Sequence, residues 1–443
     1  KRFSPTTIQF DEELSGPATV DTALAHSIMS RRNPIASVSE NNIMKKYFCA
    51  LIFLVSLSFS VYPAAGANIG PSIKIMTQNQ YIGAAIEHFL AAADPASFNA
   101  ALVAALQTVV ATKTADRMQA LANEIIKEQP AIVALQEVVQ LQCIDSVHTS
   151  GVGCSDPSIA AAFSDHLQLT LGDLHGTYVE AAKVVNFSFP AIPFVINGVP
   201  AQLSFVDRDV ILAREDVAAT PVNFQSLGVC AKPSADGCNY SAALVVTTPL
   251  GTIDIERGFV AIDTTIDGKD YRVVTTHLEI QRPDATNPLS QLFQAAQVAE
   301  LLQILLNTTP LDRSVVVAGD MNSDPRDPDI PGPLPLPAPF NSGIVTPYHQ
   351  FVEAGFTDIW ELRPGNLPGD TCCQPEDLTN RLSTLDQRID MIFSLELPAK
   401  VKEVRIVGDK ASDKTPPPGL RLWPSDHAGL TGKLEFELLT AQK

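Results

Sequence analysis

From residue 72 onward, apolar and polar positions fall into two spacings, one strand-like and one helical, that succeed each other along the chain. Residues 72–77 are a short apolar run that reads as a strand. Residues 84–110 are rich in Ala and Leu at helical spacing, with a break near Asp94-Pro95, and an amphipathic run over 114–128 stops at Pro130. The apolar segment 131–135 predicts a second strand that delivers Glu137 at its end. A helix is expected over 157–174, after which 178–276 breaks into short β-rich runs, among them 203–206, 210–213 and 272–275. Helical spacing returns over 291–306, and 314–318 is a strand leading into Gly319-Asp320-Met321-Asn322. The Pro-rich tract 324–339 must be a surface loop, and 389–393, 401–407 and 428–436 close the series as strands. Strands joined mostly by short turns, with a few helical excursions, predict an α/β (α+β) architecture of two packed sheets flanked by helices.

Upstream of that series the chain changes character. Residues 1–43 are polar and aperiodic, and read as an upstream or disordered segment. From Met44 come Lys45-Lys46, an apolar run over 47–61, and the small residues Ala65-Gly66-Ala67, the three parts of a secretory signal peptide. The run is shorter than the roughly 18 residues of a spanning helix, so cleavage after Ala67 is expected, with residues 68–443 forming one secreted catalytic domain. Of the 7 cysteines, Cys49 lies in the signal segment, leaving an even number for an oxidising compartment. Cys143 with Cys154 and Cys230 with Cys238 are the favoured short-loop pairs. Metal binding by these thiols is disfavoured, because no Cys-x-x-Cys has a second partner pair.

Charge narrows the substrate. The net charge is −18, and because residues 1–67 hold one more basic than acidic residue, the remainder is near −19. A protein that tracks a nucleic-acid backbone needs the opposite balance, so long nucleic acid is a disfavoured partner.

Asn79, Glu137, His277, Asp320, Asn322, Asp390, Asp426 and His427 each sit at or just past the end of an apolar strand, where loops at one edge of two sheets can gather them. Each alone has a plain reading: a helix-start acid for Glu137, a core histidine for His277, a turn residue for Asp426. Together they have the composition that phosphate-ester hydrolysis needs. Carboxylate and amide oxygens of Glu137 and Asn79 suit a hard divalent cation. An aspartate such as Asp320, or a histidine held by an aspartate, can orient and deprotonate water. Asn322, His277 and His427 are donors for charge building on phosphoryl oxygens. No Gly-x-Ser-x-Gly or framed Cys-His pairing points to a covalent nucleophile.

The strings TQNQYIGA (77–84), IVALQEV (132–138), TTHLE (275–279), VVVAGDMNSDP (315–325), RIDMIF (388–393) and SDHAGL (425–430) resemble, in order, the motifs of the endonuclease/exonuclease/phosphatase superfamily. The Asn-x-Tyr-x-Gly-Ala opening and Thr371-Cys372-Cys373 are most similar to a secreted bacterial branch, sphingomyelinase-like by analogy. The resemblance implies a four-layer αββα sandwich of two mixed sheets and a Mg2+-dependent attack of water on phosphorus, with Mn2+ or Ca2+ as alternatives. It implies Glu137 as metal ligand with Asn79 beside it and Asp426 near the metal. Asp320 would orient the water, Asn322 bind phosphate, His427 be the catalytic histidine paired with Asp390, and His277 face the phosphate or leaving group. One departure is Asp207-Arg208-Asp209 ahead of the strand at 210: Arg208 or Asp209 lines the site, or Asp209 merely starts a strand. Arg257 is a second candidate phosphate contact, or a surface arginine.

Residues 184–196 are more apolar and aromatic than a solvent-facing hairpin, which means either core strand, the favoured reading, or a lipid-facing edge. The expected function is thus a secreted divalent-metal phosphodiesterase acting on a small or lipid phosphoester. A secreted nuclease and a catalytically inactive binding module are the alternatives. A monomer is the default, since no sustained heptad pattern is present.

Overall fold

The computed structural model describes residues 70–145, 150–281, 288–334, 336, 338–417 and 419–437. The polar segment 1–43, the signal segment 44–67 and its cleavage site lie outside those residues.

Two mixed sheets stand face to face. One runs Lys400–Val407, Gly429–Glu435, Ser72–Asn79, Ile132–Gln136, Val199–Arg214 and Gln140–Asp145, with Tyr178–Ile196 on the free side of Val199–Arg214. The other runs Thr357–Asp358, Asp390–Ser394, Ser314–Asp320, Lys269–Thr276, Gly258–Ile266, Gly237–Asn239 and Lys232–Ser234, with Ala219–Pro221 beside Gly258–Ile266. Central strand pairs in each sheet are parallel: Ser72–Asn79 with Ile132–Gln136, and Lys269–Thr276 with Ser314–Asp320.

Period-two alternation assigns each strand residue to a layer. Ile73, Ile75, Ile132, Ala134, Ile211, Val260, Val273, Val316, Ile392 and Leu430 fill the space between the sheets. Their neighbours point outward: Met76, Val133, Leu135, Val210 and Leu212 meet Ile125 of the helix Thr114–Glu128 and Leu167 of the helix His166–Asp173. On the other side Phe259, Val274, Val317 and Phe393 pack against Leu301 and Leu305 of Leu289–Thr308 and Phe351 of Pro347–Glu353. These strands read as unbroken apolar runs because both of their faces are covered. The layers are α, β, β, α, as expected.

The expected break near Asp94 separates the short helix Glu87–Leu90 from Pro95–Ala111, and Asp94 caps the second by accepting from Ala96 N and Ser97 N. Two other elements differ from the sequence reading. The helix expected over 157–174 is regular only over His166–Asp173, where Asp165 accepts from Leu167 N and starts a new turn; upstream are two short 3-10 pieces. The short runs expected over 178–276 are present from Ala219 onward, but over 178–214 the chain instead forms two long strands, Tyr178–Ile196 and Val199–Arg214, turned by Asn197-Gly198, both at positive φ. Register slips at three places along this hairpin had disguised its continuity. The hairpin's outer half does not face solvent on both sides. Ile192, Phe194 and Ile196 are buried against Phe98, Leu102 and Leu106 of Pro95–Ala111.

Cys143–Cys154 and Cys230–Cys238 are disulfides as expected, and Cys372 is bonded to its neighbour Cys373. The first staples the edge strand Gln140–Asp145 to the following loop, and the second holds Gly237–Asn239 at the rim of the second sheet.

Phe194→Ala is expected to lower stability by about 3–5 kcal/mol in chemical denaturation, since the ring is 3% exposed under a helix; a loss below about 1 kcal/mol would mean the hairpin tip stands free. Glu124, on Thr114–Glu128, is 7% exposed with both carboxyl oxygens unpartnered. Burial, and then the nearby Asp413 charge, lift its pKa well above the usual carboxylate range. An acid whose folded pKa is raised contributes full stability at low pH and loses it as pH climbs past the unfolded value of about 4.3. Glu124→Gln should therefore stabilise the protein at pH 8 by at least about 1 kcal/mol and change little at pH 4. Equal denaturation midpoints of variant and parent at pH 8 would sink this account.

Candidate active site

The strand ends converge at one edge of the sandwich. Asn79 closes Ser72–Asn79, Glu137 follows Ile132–Gln136, His277 follows Lys269–Thr276 and Asp320 closes Ser314–Asp320. Antiparallel neighbours begin where these finish, so Asp390 lies opposite Asp320 and His427 directly precedes Ala428 and the strand Gly429–Glu435. Glu137 and Asn322 both have positive φ, which turns the chain sharply as it leaves its strand.

Asn79 joins the two sheets. Its amide nitrogen donates to Glu137 Oε1 at 3.1 Å and to Asp320 Oδ2 at 3.1 Å, while its oxygen accepts from Tyr81 N at 2.9 Å. Asn79 therefore spaces two carboxylates, with its nitrogen toward Glu137 and Asp320 and its oxygen toward Tyr81 N. Glu137 Oε2 accepts from Ile82 N at 2.9 Å. Burial first, and then the Asp426 charge, raise the Glu137 carboxyl, and the Asp426 carboxyl is likewise raised by burial.

Asp320 and His427 form the other half of the cluster. Asp320 Oδ1 accepts from Asn322 N at 2.9 Å, and burial followed by the Asp390 charge pushes its pKa up to about 7. His427 Nδ1 is 2.8 Å from Asp390 Oδ2 and 3.7 Å from Asp320 Oδ2. Burial opposes charge on this imidazole, yet Asp390, Asp426 and Asp320 outweigh it and hold the pKa well above the ordinary histidine value. His427 is thus a cation near neutral pH. His277 is its opposite. Burial, Arg257 and His427 hold its pKa well below the usual value, so it is neutral. Arg257 Nη1 lies 3.0 Å from its Nδ1, Asn322 Nδ2 lies 3.0 Å from its Nε2, and Asp320 Oδ2 is 3.5 Å away.

All of these except Asn79 and Asp390 line one cavity of about 730 Å3, together with Asp207 and Arg257. Arg208 does not. Strand alternation turns Asp207 toward the cavity and Arg208 to the opposite face, where it donates to Val138 O at 2.9 Å and pairs with Asp165 at 2.6 Å. The substrate contact considered for Arg208 is corrected accordingly. Asp209 is buried below Asp207 and reaches no solvent. Burial pushes the Asp207 pKa up to about 6.

Sequence reasoning missed Arg117 and, although it singled out Thr371, missed the supporting role of that residue. Thr371 Oγ1 accepts from Ile389 N at 3.2 Å and Asp390 N at 3.1 Å, fixing the aspartate behind His427. Arg117, fully buried on Thr114–Glu128, donates to Gln80 O at 2.9 Å, Tyr81 O at 3.3 Å, Thr112 O at 3.0 Å and Pro424 O at 3.2 Å. A basic position on an amphipathic helix gives no sign of this, although Arg117 on the apolar side of that helix beside Met118 and Leu121 was the available clue.

The donor set suits a hard divalent cation. Two carboxylates, Glu137 and Asp426, lie near each other with both titrations raised first by desolvation and that of Glu137 next by the Asp426 charge, which is the electrostatic condition a cation relieves. The neutral state of His277 gives a direct check. Replacing Arg257 with Met removes the second cause of its depression, so the ring should titrate closer to the ordinary value of about 6.5 in histidine proton NMR. A titration that does not move would assign the depression to burial and His427 without Arg257.

The sequence profile of the Endonuclease/Exonuclease/phosphatase family matches residues 96–427. No curated protein sequence matches the chain. Among solved structures, a family protein from Leptotrichia buccalis is 16% identical, with 82% of this chain and 100% of that one covered and a TM-score of 0.45. One from Bacteroides thetaiotaomicron is 14% identical, covering 83% and 99%, at 0.44. Truncated Caenorhabditis elegans TDP2 is 16% identical, covering 83% and 98%, at 0.40. The family profile spans both sheets and every strand end of the site except that of the first strand, and the chain therefore belongs to the Endonuclease/Exonuclease/phosphatase family.

Proposed function

We propose that the protein is a divalent-metal-dependent phosphodiesterase that drives water onto phosphorus and acts outside the cytoplasm on a small or lipid phosphoester. The observation that carries this reading is the His427–Asp390 pair at 2.8 Å set against Asp320, whose pKa is raised to about 7, in one cavity with Glu137. The disulfides support an oxidising compartment.

Glu137 and Asp426 would hold the cation, Mg2+ or one of its substitutes, which supplies Lewis-acid polarisation of a phosphoryl oxygen. Asp320 is placed to accept a proton from an attacking water, since a carboxylate poised near neutrality combines availability with basicity. Asn322 N and the Asn79 amide fix its two oxygens, so the proton acceptor is oriented before substrate arrives. His427, charged and steadied by Asp390, offers a proton or positive charge to the phosphoryl oxygens. Neutral His277 and cationic Arg257 complete the donor side, with Arg257 Nη2 3.8 Å from Glu279. Arg257 is the one lysine or arginine among the described cavity-lining residues, which suits a single phosphate better than a polyanion.

The test compares the protein with its His427→Ala variant on sphingomyelin liposomes, plasmid DNA and a generic phosphodiester, with Mg2+, Mn2+, Ca2+ or chelator. Turnover of a non-polymeric ester that requires metal and drops at least about a hundredfold in the variant is expected. Plasmid cleavage alone would replace the reading with a nuclease. No metal-dependent turnover of any of the three would end the phosphodiesterase assignment.

A further inference from the structure

The cavity is much larger than a phosphate and its polar partners require, and its two ends differ in chemistry. About 730 Å3 is the size of a site for a whole organic ligand. On Val199–Arg214, Asp207 belongs to the polar end and Phe205 is the next residue on the same face, about 7 Å outward. The partner strand repeats the change: Phe187 pairs with Asp207 and Phe189 with Phe205. Phe187 is 5.7 Å from Phe205 and 6.0 Å from Phe189 between ring centroids, so the three rings make a continuous wall starting beside Asp207. Phe89 of the short helix Glu87–Leu90 and Ile253 of the strand Gly251–Ile255 also line the cavity.

Phe205 is buried in the same core cluster as Phe194, whereas Phe187, Phe189 and Phe89, packed against that cluster, are only partly buried. Apolar rings left half-covered in a concave site favour a ligand that completes their burial. Because the wall is continuous with Asp207, its occupant must be joined to whatever the polar end holds.

We propose that the apolar half of the cavity is a subsite for an alkyl or aryl substituent of the phosphodiester, so that the preferred substrate is an ester of an apolar alcohol. The inference rests on the phosphodiesterase reading and adds the chemical class of one ester group. The wall selects by burial and shape, while the polar end holds the phosphate common to all esters.

The test is a series of methyl phosphate diesters of methanol, butanol and octanol, used with Mg2+ below their aggregation concentrations, with product monoester quantified by phosphorus NMR. The ratio of kcat/KM for octyl over methyl should exceed about fiftyfold, since each methylene buried can contribute up to about fourfold. In Phe189→Ser the ratio should fall at least tenfold, and Phe189→Leu should restore most of it. Phe89→Ser, across the cavity, is the second variant should Phe189→Ser melt below the assay temperature. A flat series in the parent protein, or an unchanged ratio in both folded serine variants, overturns the subsite while leaving the phosphodiesterase reading in place. Calorimetric binding of octylphosphonate against methylphosphonate separates the two: Phe189-dependent preference for octyl with no hydrolysis of any ester upholds the subsite and removes the catalytic reading.

Discussion

Everything at the catalytic edge depends on the dry packing of one sheet against the other. Ile75, Ile132, Val273, Val316, Ile392 and Leu430 interdigitate between the sheets, and their removal from water fixes how far apart the two rows of strand ends stand. Glu137 comes from one sheet and Asp320 from the other, yet a single amide, that of Asn79, reaches both at 3.1 Å. Such a bridge requires the inter-sheet spacing to be set already. The apolar core therefore acts as the ruler for polar geometry, and residues that never meet substrate decide the separation of those that do.

The price of that convergence is electrostatic. Buried Asp207, Asp320 and Asp390 and half-buried Glu137 and Asp426 share one edge with few cations beside them. The site meets the crowding by dividing its groups. Asp320 is lifted toward neutrality, His427 is held charged and His277 is held neutral. Environments that push titrations apart in this way assign acid and base roles without any change in residue type. Asp390 is central to the division, because it both raises Asp320 and pairs with His427.

Much of this was legible in the sequence, for physical reasons that differ by residue. The doubly covered strands announced themselves as unbroken Val/Ile/Leu runs, and polar residues at their ends stood out because nothing apolar followed. Arg208 misled because sequence shows that a residue is near a strand but not which face the pleat gives it; one position shifts it from cavity to helix layer. The long hairpin was hidden by its bulges, which break the alternation that would have revealed continuous strands. Thr371 stood out as part of the Thr-Cys-Cys segment, but its role did not, since that role is a hydroxyl contact set by tertiary structure and not by any periodicity. The apolar end of the cavity was half visible: the aromatic excess over 184–196 was evident, but only the fold shows Phe194 sealed under a helix and Phe189 lining a cavity.

Arg117 carries a consequence for motion. One guanidinium holds the carbonyls of Gln80 and Tyr81, next to Ile82 whose N–H donates to Glu137, and that of Pro424, three residues before His427. Two loops separated by most of the chain thus share a single buried anchor. Opening either one strands the other's carbonyl partner in a dry interior, so the cheapest fluctuation releases both. The loop at Glu137 and the histidine loop should behave as one breathing unit, with their amides exchanging with solvent at a common rate.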